Sequence, residues 1–280
     1  VGLHPASWLS YVIPDTVTNF PVSRNPGVEG YVALTIDDGL CRQGREHSLV
    51  AEVREQLKKH GAQATFFLCS NYVKGFEQEA LQLLADGHEF ANHCPADRGD
   101  YWSLTPERFE EELLKTSQEL EALLCKAQAQ GGKLQWFRAP QAKYTRTMHE
   151  VVQRQGMRHA LADCYCDDFA NEDPNWIAST LAAQASSGSI IILHMPEKGH
   201  WEWTLEALDL LLQGLEKKNL SAVSLSRLSA LAESPPAEGK KRPADEMAST
   251  SIDEGDIADV PSTTGMFGWM HGLCVGGRPA

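Results

Sequence analysis

The chain has 280 residues, of which 42% are hydrophobic, and this is enough to build one large α/β domain with a sizeable core. Its formal net charge of −13 argues against nonspecific binding to nucleic acid or to an anionic membrane surface, because both need clustered Lys and Arg. No stretch approaches the roughly 20 uninterrupted apolar residues of a membrane-spanning helix, so no membrane span is expected.

Short apolar runs alternate with longer amphipathic segments over residues 31–232, which is the pattern of repeated βα units around a parallel sheet. We therefore predict one barrel-like α/β domain over this range. Most of its strands are short and apolar, as buried parallel strands are. The predicted strands cover residues 31–36, 64–68, 89–92, 134–137, 159–162, 189–193 and 222–225.

Two amphipathic helices are the clearest elements between the strands. In residues 105–126, Thr105 supplies an N-cap and Pro106 a first-turn proline. Residues 204–218 carry leucines at helical spacing and end in two lysines, which suit a helix C-terminus. These apolar stripes predict packing against the core of the domain.

The two ends of the chain lack such periodicity. Residues 1–30 contain several prolines and are expected to form an irregular lead-in. Residues 233–280 are rich in Pro, Glu, Ser, Thr and Gly, so burial cannot offset the entropy of ordering them and a disordered tail is expected. The first residue is Val1 rather than methionine, which leaves the compartment open.

The seven cysteines are scattered along the chain and form no obvious disulfide framework or zinc ribbon. None of them is separated from the next by the two residues that metal-binding and redox pairs share. We expect them to be small buried hydrophobes.

The first candidate for chemistry is the pair Asp37 and Asp38, which directly follows an apolar strand and precedes Gly39, a residue that permits a sharp turn. In parallel α/β folds the carboxyl ends of the strands hold the active site. Two acids at that position can serve as a metal ligand and a general base. The alternative is that they cap the following helix.

His93 and Asp97 form the second candidate, since they follow the strand at 89–92 and stand four residues apart. This separation lets both side chains converge on one ion. With an acid from the first strand they would supply three ligands and leave positions open for water and substrate, as in a catalytic metal site.

Three further strands end in polar residues. Arg138 follows the strand at 134–137, the pair Asp167 and Asp168 follows the strand at 159–162, and His194 ends the strand at 189–193. Taken alone, the arginine could form a buried ion pair, and a single histidine at a strand end is usually structural. Their order along the chain carries more information than any one of them.

In that order the five elements resemble the five motifs of the polysaccharide deacetylases, carbohydrate esterase family 4 with its NodB homology domain. The resemblance covers residues 31–231. It implies a distorted (β/α) barrel of about seven parallel strands. It also implies a hydrolase that uses one divalent metal ion to remove acetyl groups from an N-acetylglucosamine-containing polysaccharide, with chitin as the default, and it favours a secreted or cell-surface protein.

The resemblance further implies a role for each matching residue. Asp37 becomes the general base, His194 the general acid and Arg138 the residue that orients the base. Asp168 becomes an acid that holds His194 or Arg138 in place. The implied metal ligands are Asp38, His93 and Asp97, and the implied substrate-binding residues are Pro140, Gln141, which offers a main-chain N–H to the oxyanion, Leu193, which lines an acetyl slot, and Trp201.

The sequence departs from the family pattern at three motifs. Gln141 follows Pro140 where the family usually has an aromatic residue. Asp97 stands where the family usually has a second histidine, which shifts the expected preference towards Mn or Mg and leaves Zn and Co open. Phe169 replaces the usual tryptophan, so Asp163 and Asp167 stay open as alternatives to Asp168. Two other functions are alternatives: hydrolysis of another C–N or ester bond, or glycan binding without catalysis.

Overall fold

The structure is a computed structural model that describes residues 15–234. Residues 1–14 of the predicted lead-in and all but residues 233 and 234 of the predicted tail lie outside the described residues. The proposed domain boundaries at 31 and 232 stay a prediction.

Strands and helices alternate along the described chain, as the sequence predicts. The strands are β1 (Tyr31–Gly39), β2 (Thr65–Leu68), β3 (Glu89–Asn92), β4 (Trp136–Phe137), β5 (Arg158–His159), β6 (Ile190–His194) and β7 (Ser221–Val223). The α-helices are α1 (Val50–Lys59), α2 (Ser70–Val73), α3 (Glu77–Ala85), α4 (Pro106–Ala127), α5 (Arg146–Arg154), α6 (Pro174–Gln184), α7 (Trp203–Lys217) and α8 (Leu225–Glu233).

The seven strands form one parallel sheet with the order β5-β4-β3-β2-β1-β6, and β7 pairs with the beginning of β1. The sheet curls towards closure, because the segment after β5 runs beside β6. There Cys164 donates its main-chain N–H to Ile190, and Ile192 donates to Cys164, at 3.1 and 3.0 Å. This is the distorted barrel of parallel strands that the sequence predicts.

Alternation of side chains along the strands separates two apolar clusters. Leu34 and Ile36 of β1 point outwards into the core between the sheet and the helices. Ala33 of β1 and Phe67 of β2 point inwards and fill the barrel. Because successive side chains of a strand face opposite sides, residues two apart continue each face. The inward positions at the carboxyl ends are where polar groups are found.

The predicted helices are present and pack as expected. Thr105 caps α4, and its side chain accepts a hydrogen bond from the main chain of Arg108. The apolar stripes of α4 and α7 are buried in the outer core. Each fully buried Leu or Phe of this kind contributes about 1.5–3 kcal/mol to folding, so these helices hold the sheet in shape.

Six cysteines fall within the described residues, and all six are free thiols; five are buried and Cys125 is exposed. The five behave as the small buried hydrophobes that the sequence predicts. Among residues 15–234, the helices are all too short or too polar to cross a membrane.

Candidate active site

A cavity of about 660 Å³ opens at the carboxyl ends of the strands. Side chains from several separate strand ends line it, as expected for a parallel α/β barrel. Among its lining residues are the six polar residues that the strand-end argument singles out: Asp37, Asp38, His93, Asp97, Arg138 and His194. The structure thus brings together groups that lie up to 157 residues apart in the sequence, which is the separation of Asp37 and His194.

A local irregularity of β1 turns two consecutive acids towards this cavity. Regular alternation would place Asp37 inside and Asp38 outside. The pairing of β1 with β2 shifts register between Asp37 and Gly39, and Asp38 takes a left-handed backbone conformation with φ of 63°. Such a bulge re-aims a side chain. A Cβ atom at Gly39 would lie 2.9 Å from a side-chain carbon of Leu68, so any larger residue here would force Leu68 to move.

Asp37 forms a buried ion pair with Arg138, whose Nη1 lies 2.6 Å from the Asp37 carboxylate. The guanidinium is fixed from several sides: it donates to the carbonyls of Ala160 and Leu161, and to the hydroxyl of Thr35. Burial lowers the pKa of Arg138, and the Asp37 carboxylate opposes that effect. Arg138 therefore holds Asp37 in one orientation with a charge-assisted hydrogen bond.

Asp38, His93 and Asp97 form a cluster in which one ligand atom of each lies within 4.8 Å of the others. Nε2 of His93 is 3.5 Å from Oδ1 of Asp38. Nδ1 of His93 lies 2.8 Å from the main-chain carbonyl of Arg138, which can only accept, so Nδ1 carries the proton and Nε2 is left as a metal-binding nitrogen. One nitrogen and two carboxylates suit a divalent metal ion with open positions.

Asp97 is the most accessible member of this cluster, being half-buried. Burial raises its pKa, and the nearby Asp38 carboxylate raises it further. Two carboxylates that approach each other in a partly buried site repel unless a cation lies between them. The donor set therefore fits a divalent cation.

His194 is held by Asp168 through two hydrogen bonds. One carboxylate oxygen of Asp168 accepts from the main-chain N–H of His194 at 2.7 Å, and the other contacts Nδ1 at 2.8 Å. Burial by itself lowers the pKa of His194, but the Asp168 carboxylate outweighs it, with Asp38 and Asp37 adding to the effect, and raises this pKa to about 9. The imidazole is therefore cationic near neutral pH.

Of the three acids left open for the fourth motif, only Asp168 touches His194 among the described residues. Asp163 lies at the other end of β6, where it accepts from the main chain of Ile190 at 2.8 Å and from the hydroxyl of Ser189. Asp167 is exposed on the cavity wall. The geometry also decides the partner of Asp168, which is His194 and not Arg138.

The residues expected to bind substrate fall into two groups. Gln141 and Trp201 line the cavity, and Pro140 is buried directly before Gln141 in a short 3₁₀ turn. Leu193 does not line the cavity: it is buried in the outer core, on the side of β6 that faces the helices. Ile192, one position earlier, has the same inward orientation as His194 and lines the cavity instead. The prediction for Leu193 was wrong by one residue.

Sequence reasoning missed Arg42 and Glu197. Arg42 lies 3.0 Å from the Asp38 carboxylate. Glu197 is buried and accepts from the main-chain N–H groups of Arg42 and Gln43 at 2.9 and 3.0 Å. A buried glutamate in a loop leaves no periodic signal. The one hint in the sequence was an arginine four residues after Asp38.

Comparison with known proteins shows which family the chain resembles. The family model described as polysaccharide deacetylase matches residues 24–160. Among curated proteins, the chain is 26% identical over 172 residues to the uncharacterized protein YlxY of Bacillus subtilis, and 22% identical over 194 residues to a peptidoglycan-N-acetylglucosamine deacetylase of Bacillus cereus. Over these residues the chain is similar to the polysaccharide deacetylase family, as its ordered motifs predict.

The fold comparison agrees with this assignment. A solved structure described as a CE4 family pseudoenzyme from Bacillus anthracis matches with a TM-score of 0.61 at 22% identity, covering 71% of this chain and 65% of that one. The alignments cover 61% of this chain and 50% of YlxY, and 69% of this chain and 66% of the Bacillus cereus deacetylase. The fold is therefore shared with a pseudoenzyme, and activity has to be argued from the residues of this chain.

Proposed function

We propose that this protein is a metal-dependent hydrolase that removes acetyl groups from N-acetylglucosamine-containing glycans. The observation that carries the proposal is the convergence of a three-residue ligand cluster with two charged pairs, Asp37–Arg138 and Asp168–His194, on one cavity. A divalent ion bound by the cluster would polarise the acyl carbonyl and make a water molecule more acidic.

Asp37 is the general base of the proposed reaction. It lies beside the ligand cluster, next to Asp38 in the chain, and its ion pair with Arg138 holds the carboxylate in one orientation. In that orientation it accepts a proton from the attacking water. Arg138 acts through Asp37, since its guanidinium is also bound to carbonyls of the segment after β5 and is buried.

His194 is the general acid on the other side of the carbonyl. Asp168 holds Nδ1, so Nε2 is the ring atom left to donate a proton to the leaving amine. The raised pKa of about 9 keeps His194 protonated when Asp37 is ionised. A base and an acid with these two states at the same pH are what amide hydrolysis requires.

The cavity wall supports a small acyl group next to a sugar ring. Ile192 and Ala162 give an apolar surface beside His194. The Trp201 ring lies 5.0 Å from the His194 ring and offers an aromatic face for stacking on a sugar. Gln141 lines the cavity with a backbone φ of 54°, and its main-chain N–H is the proposed donor to the oxyanion.

The proposed ion is manganese, magnesium or cobalt before zinc. Two of the three ligands are carboxylates, and oxygen-rich ligand sets favour harder cations. The imidazole nitrogen of His93 is a ligand that zinc also prefers, so zinc can bind as well.

Acetate release tests the proposal. The full chain, stripped of metal and reloaded with Zn, Co, Mn or Mg, is incubated with chitin oligomers and with acetylated xylan. Metal-dependent release is expected, and Asp37→Asn should abolish it. Asp167→Asn is the matched control, because Asp167 is an exposed acid on the same cavity wall and has no place in the mechanism.

Two other results would redirect the proposal. Release from acetylated xylan alone would indicate an esterase, and release from another N-acyl compound would indicate a different C–N substrate. Metal binding without turnover of any substrate would favour a non-catalytic glycan-binding protein, the class to which the Bacillus anthracis pseudoenzyme gives a structural precedent.

We propose a secreted or cell-surface location, because a relative acts on peptidoglycan. The six described cysteines argue in the opposite direction, since all are free and unpaired thiols are typical of reducing compartments. Cell fractionation of the native protein tests the location. Recovery in the cytosol would overturn it and would indicate an intracellular N-acyl substrate.

A further inference from the structure

Arg42 is a cation beside the ligand cluster to which the mechanism above gives no role. Its Nη2 lies 3.0 Å from Oδ2 of Asp38, which leaves Oδ1 of Asp38 facing His93. Its guanidinium carbon lies 4.5 Å from the centre of the Trp201 ring and 5.2 Å from that of the Tyr72 ring. The side chain is 23% exposed, so solvent screens it only partly.

The loop that carries Arg42 is anchored through its main chain as well as through the Arg42 side chain. Glu197 binds the main-chain N–H groups of Arg42 and Gln43 and the thiol of Cys41. The Arg42 side chain adds a contact of 3.5 Å between its Nε and Glu197, so its substitution removes this ion pair but leaves the main-chain anchors of the loop in place. The charge of Arg42 can therefore be tested apart from the fold.

The charges around the cluster follow a simple balance. Five carboxylates lie in or directly behind it, and three side chains offset them: Arg138, Arg42 and His194, which is protonated because its pKa is about 9. The formal charge that remains is −2, which one divalent cation neutralises. The five carboxylates are those of Asp37, Asp38, Asp97, Asp168 and Glu197.

We propose that Arg42 is a positioning residue of the metal site: it holds Asp38 so that only Oδ1 is presented to the ion, and its charge limits the affinity of the site for cations. This inference rests on the proposed function, because it concerns the same metal site. Arg42 now offsets part of the negative charge of Asp38 and Glu197. Its loss would therefore make the net charge of the cluster more negative by one.

Isothermal titration of the metal-stripped full chain with Mn²⁺ at low ionic strength tests the inference. Arg42→Gln keeps an N–H donor for Asp38 but removes the charge, so it should bind Mn²⁺ more tightly by at least about tenfold. Arg42→Lys keeps the charge and should stay within about threefold of the wild type. Arg45→Gln is the matched control, since Arg45 is exposed and pairs with Glu79 away from the cluster.

The outcomes separate this inference from the proposed function. Unchanged or weaker binding in Arg42→Gln, or equal tightening in Arg42→Lys, would overturn the role of the charge. Absence of Mn²⁺ binding in the wild type would instead contradict the metal site itself. A thermal melt of each variant shows whether the fold is retained. A misfolded Arg42→Gln would leave Arg42→Met as the second charge-free variant, which should still bind Mn²⁺ more tightly than the wild type, but by less than tenfold because it also lacks the N–H donor that holds Asp38.

Discussion

Replacing Asp168 by asparagine separates the two charged pairs of the site. Asp168 is fully buried and contacts only His194 among the catalytic groups, through the ring and the main-chain N–H. Asparagine keeps the size of the side chain and one carbonyl oxygen for Nδ1. It removes the negative charge that raises the pKa of His194.

The size of the effect follows from the pKa of His194. This pKa is raised from 6.5 to about 9 mainly by Asp168 against the effect of burial, which lowers it. Without the Asp168 charge, burial is opposed only by Asp38 and Asp37, so the pKa of His194 should fall back towards its ordinary value of 6.5. The proposed mechanism requires a protonated His194, so activity should be lost as the pH rises through its pKa, and the alkaline limb should move down by about two pH units.

The loss of activity in Asp168→Asn should depend on the pH at which it is measured. At pH 8 the protonated fraction of His194 falls from about nine-tenths to below about one-tenth, so kcat/KM should drop by about tenfold or more, whereas at pH 6 it should change much less. A bound divalent cation lowers the pKa of His194 in both proteins, so the difference between the two profiles is the quantity to measure.

Asp163→Asn is the matched control for this variant. Asp163 also accepts a main-chain N–H of β6, from Ile190, but it does not touch His194. Both variants leave a strand N–H without its carboxylate partner, which should cost about 1–3 kcal/mol of unfolding free energy. Only Asp168→Asn should shift the pH profile.

The assay is kcat/KM for acetate release between pH 5 and pH 10 at saturating metal, together with a ¹⁵N-histidine NMR titration that needs no substrate. An alkaline limb and a His194 titration that coincide in wild type and folded Asp168→Asn would refute the reasoning. A shift that also occurs in Asp163→Asn would show that it comes from lost stability.

Four other changes have definite expected outcomes. Asp97→His replaces an anionic oxygen ligand by a neutral nitrogen and should raise the affinity for Zn²⁺ relative to Mn²⁺, measured by competition titration; an unchanged ratio would argue that Asp97 is not a ligand. Ile192→Phe should fill the acyl slot and lower kcat/KM. Leu193→Ala should cost about 2–5 kcal/mol of unfolding free energy and leave KM unchanged. The reverse pattern would restore the original prediction that Leu193 lines the acyl slot. Mn²⁺ at about 100 times its Kd should stabilise the protein by about 2.7 kcal/mol, seen as a higher Tm, and no shift would contradict the metal site.

The fold was largely predictable because a parallel barrel repeats one simple pattern. Short apolar runs and amphipathic helices are local features, and the predicted strands were found with small shifts in their ends. β4 and β5 are shorter than predicted: β4 shares one residue pair with β3 and two with β5. The extent of a strand depends on how the sheet curls around its neighbours, which local sequence does not contain.

The positions of the candidate residues followed from a single rule, that the carboxyl ends of parallel strands share one edge. This rule placed Asp37, His93 and His194 together without any knowledge of distances. It failed at Leu193, because which of two consecutive residues faces inward depends on the register of the whole strand. It also gave no reason why Asp38 should point inward after Asp37, which is an effect of the local bulge.

The sequence by itself determined the kind of barrel, the family that the chain resembles and the set of strand ends that carry polar groups, because apolar periodicity and ordered motifs are properties of the chain. Only the tertiary structure decided which acid contacts His194, and that Arg42 and Glu197 belong to the site. Those two residues are 155 positions apart. Their contact arises where the loops after β1 and β6 meet, and it depends on the closing of the barrel, to which every strand contributes.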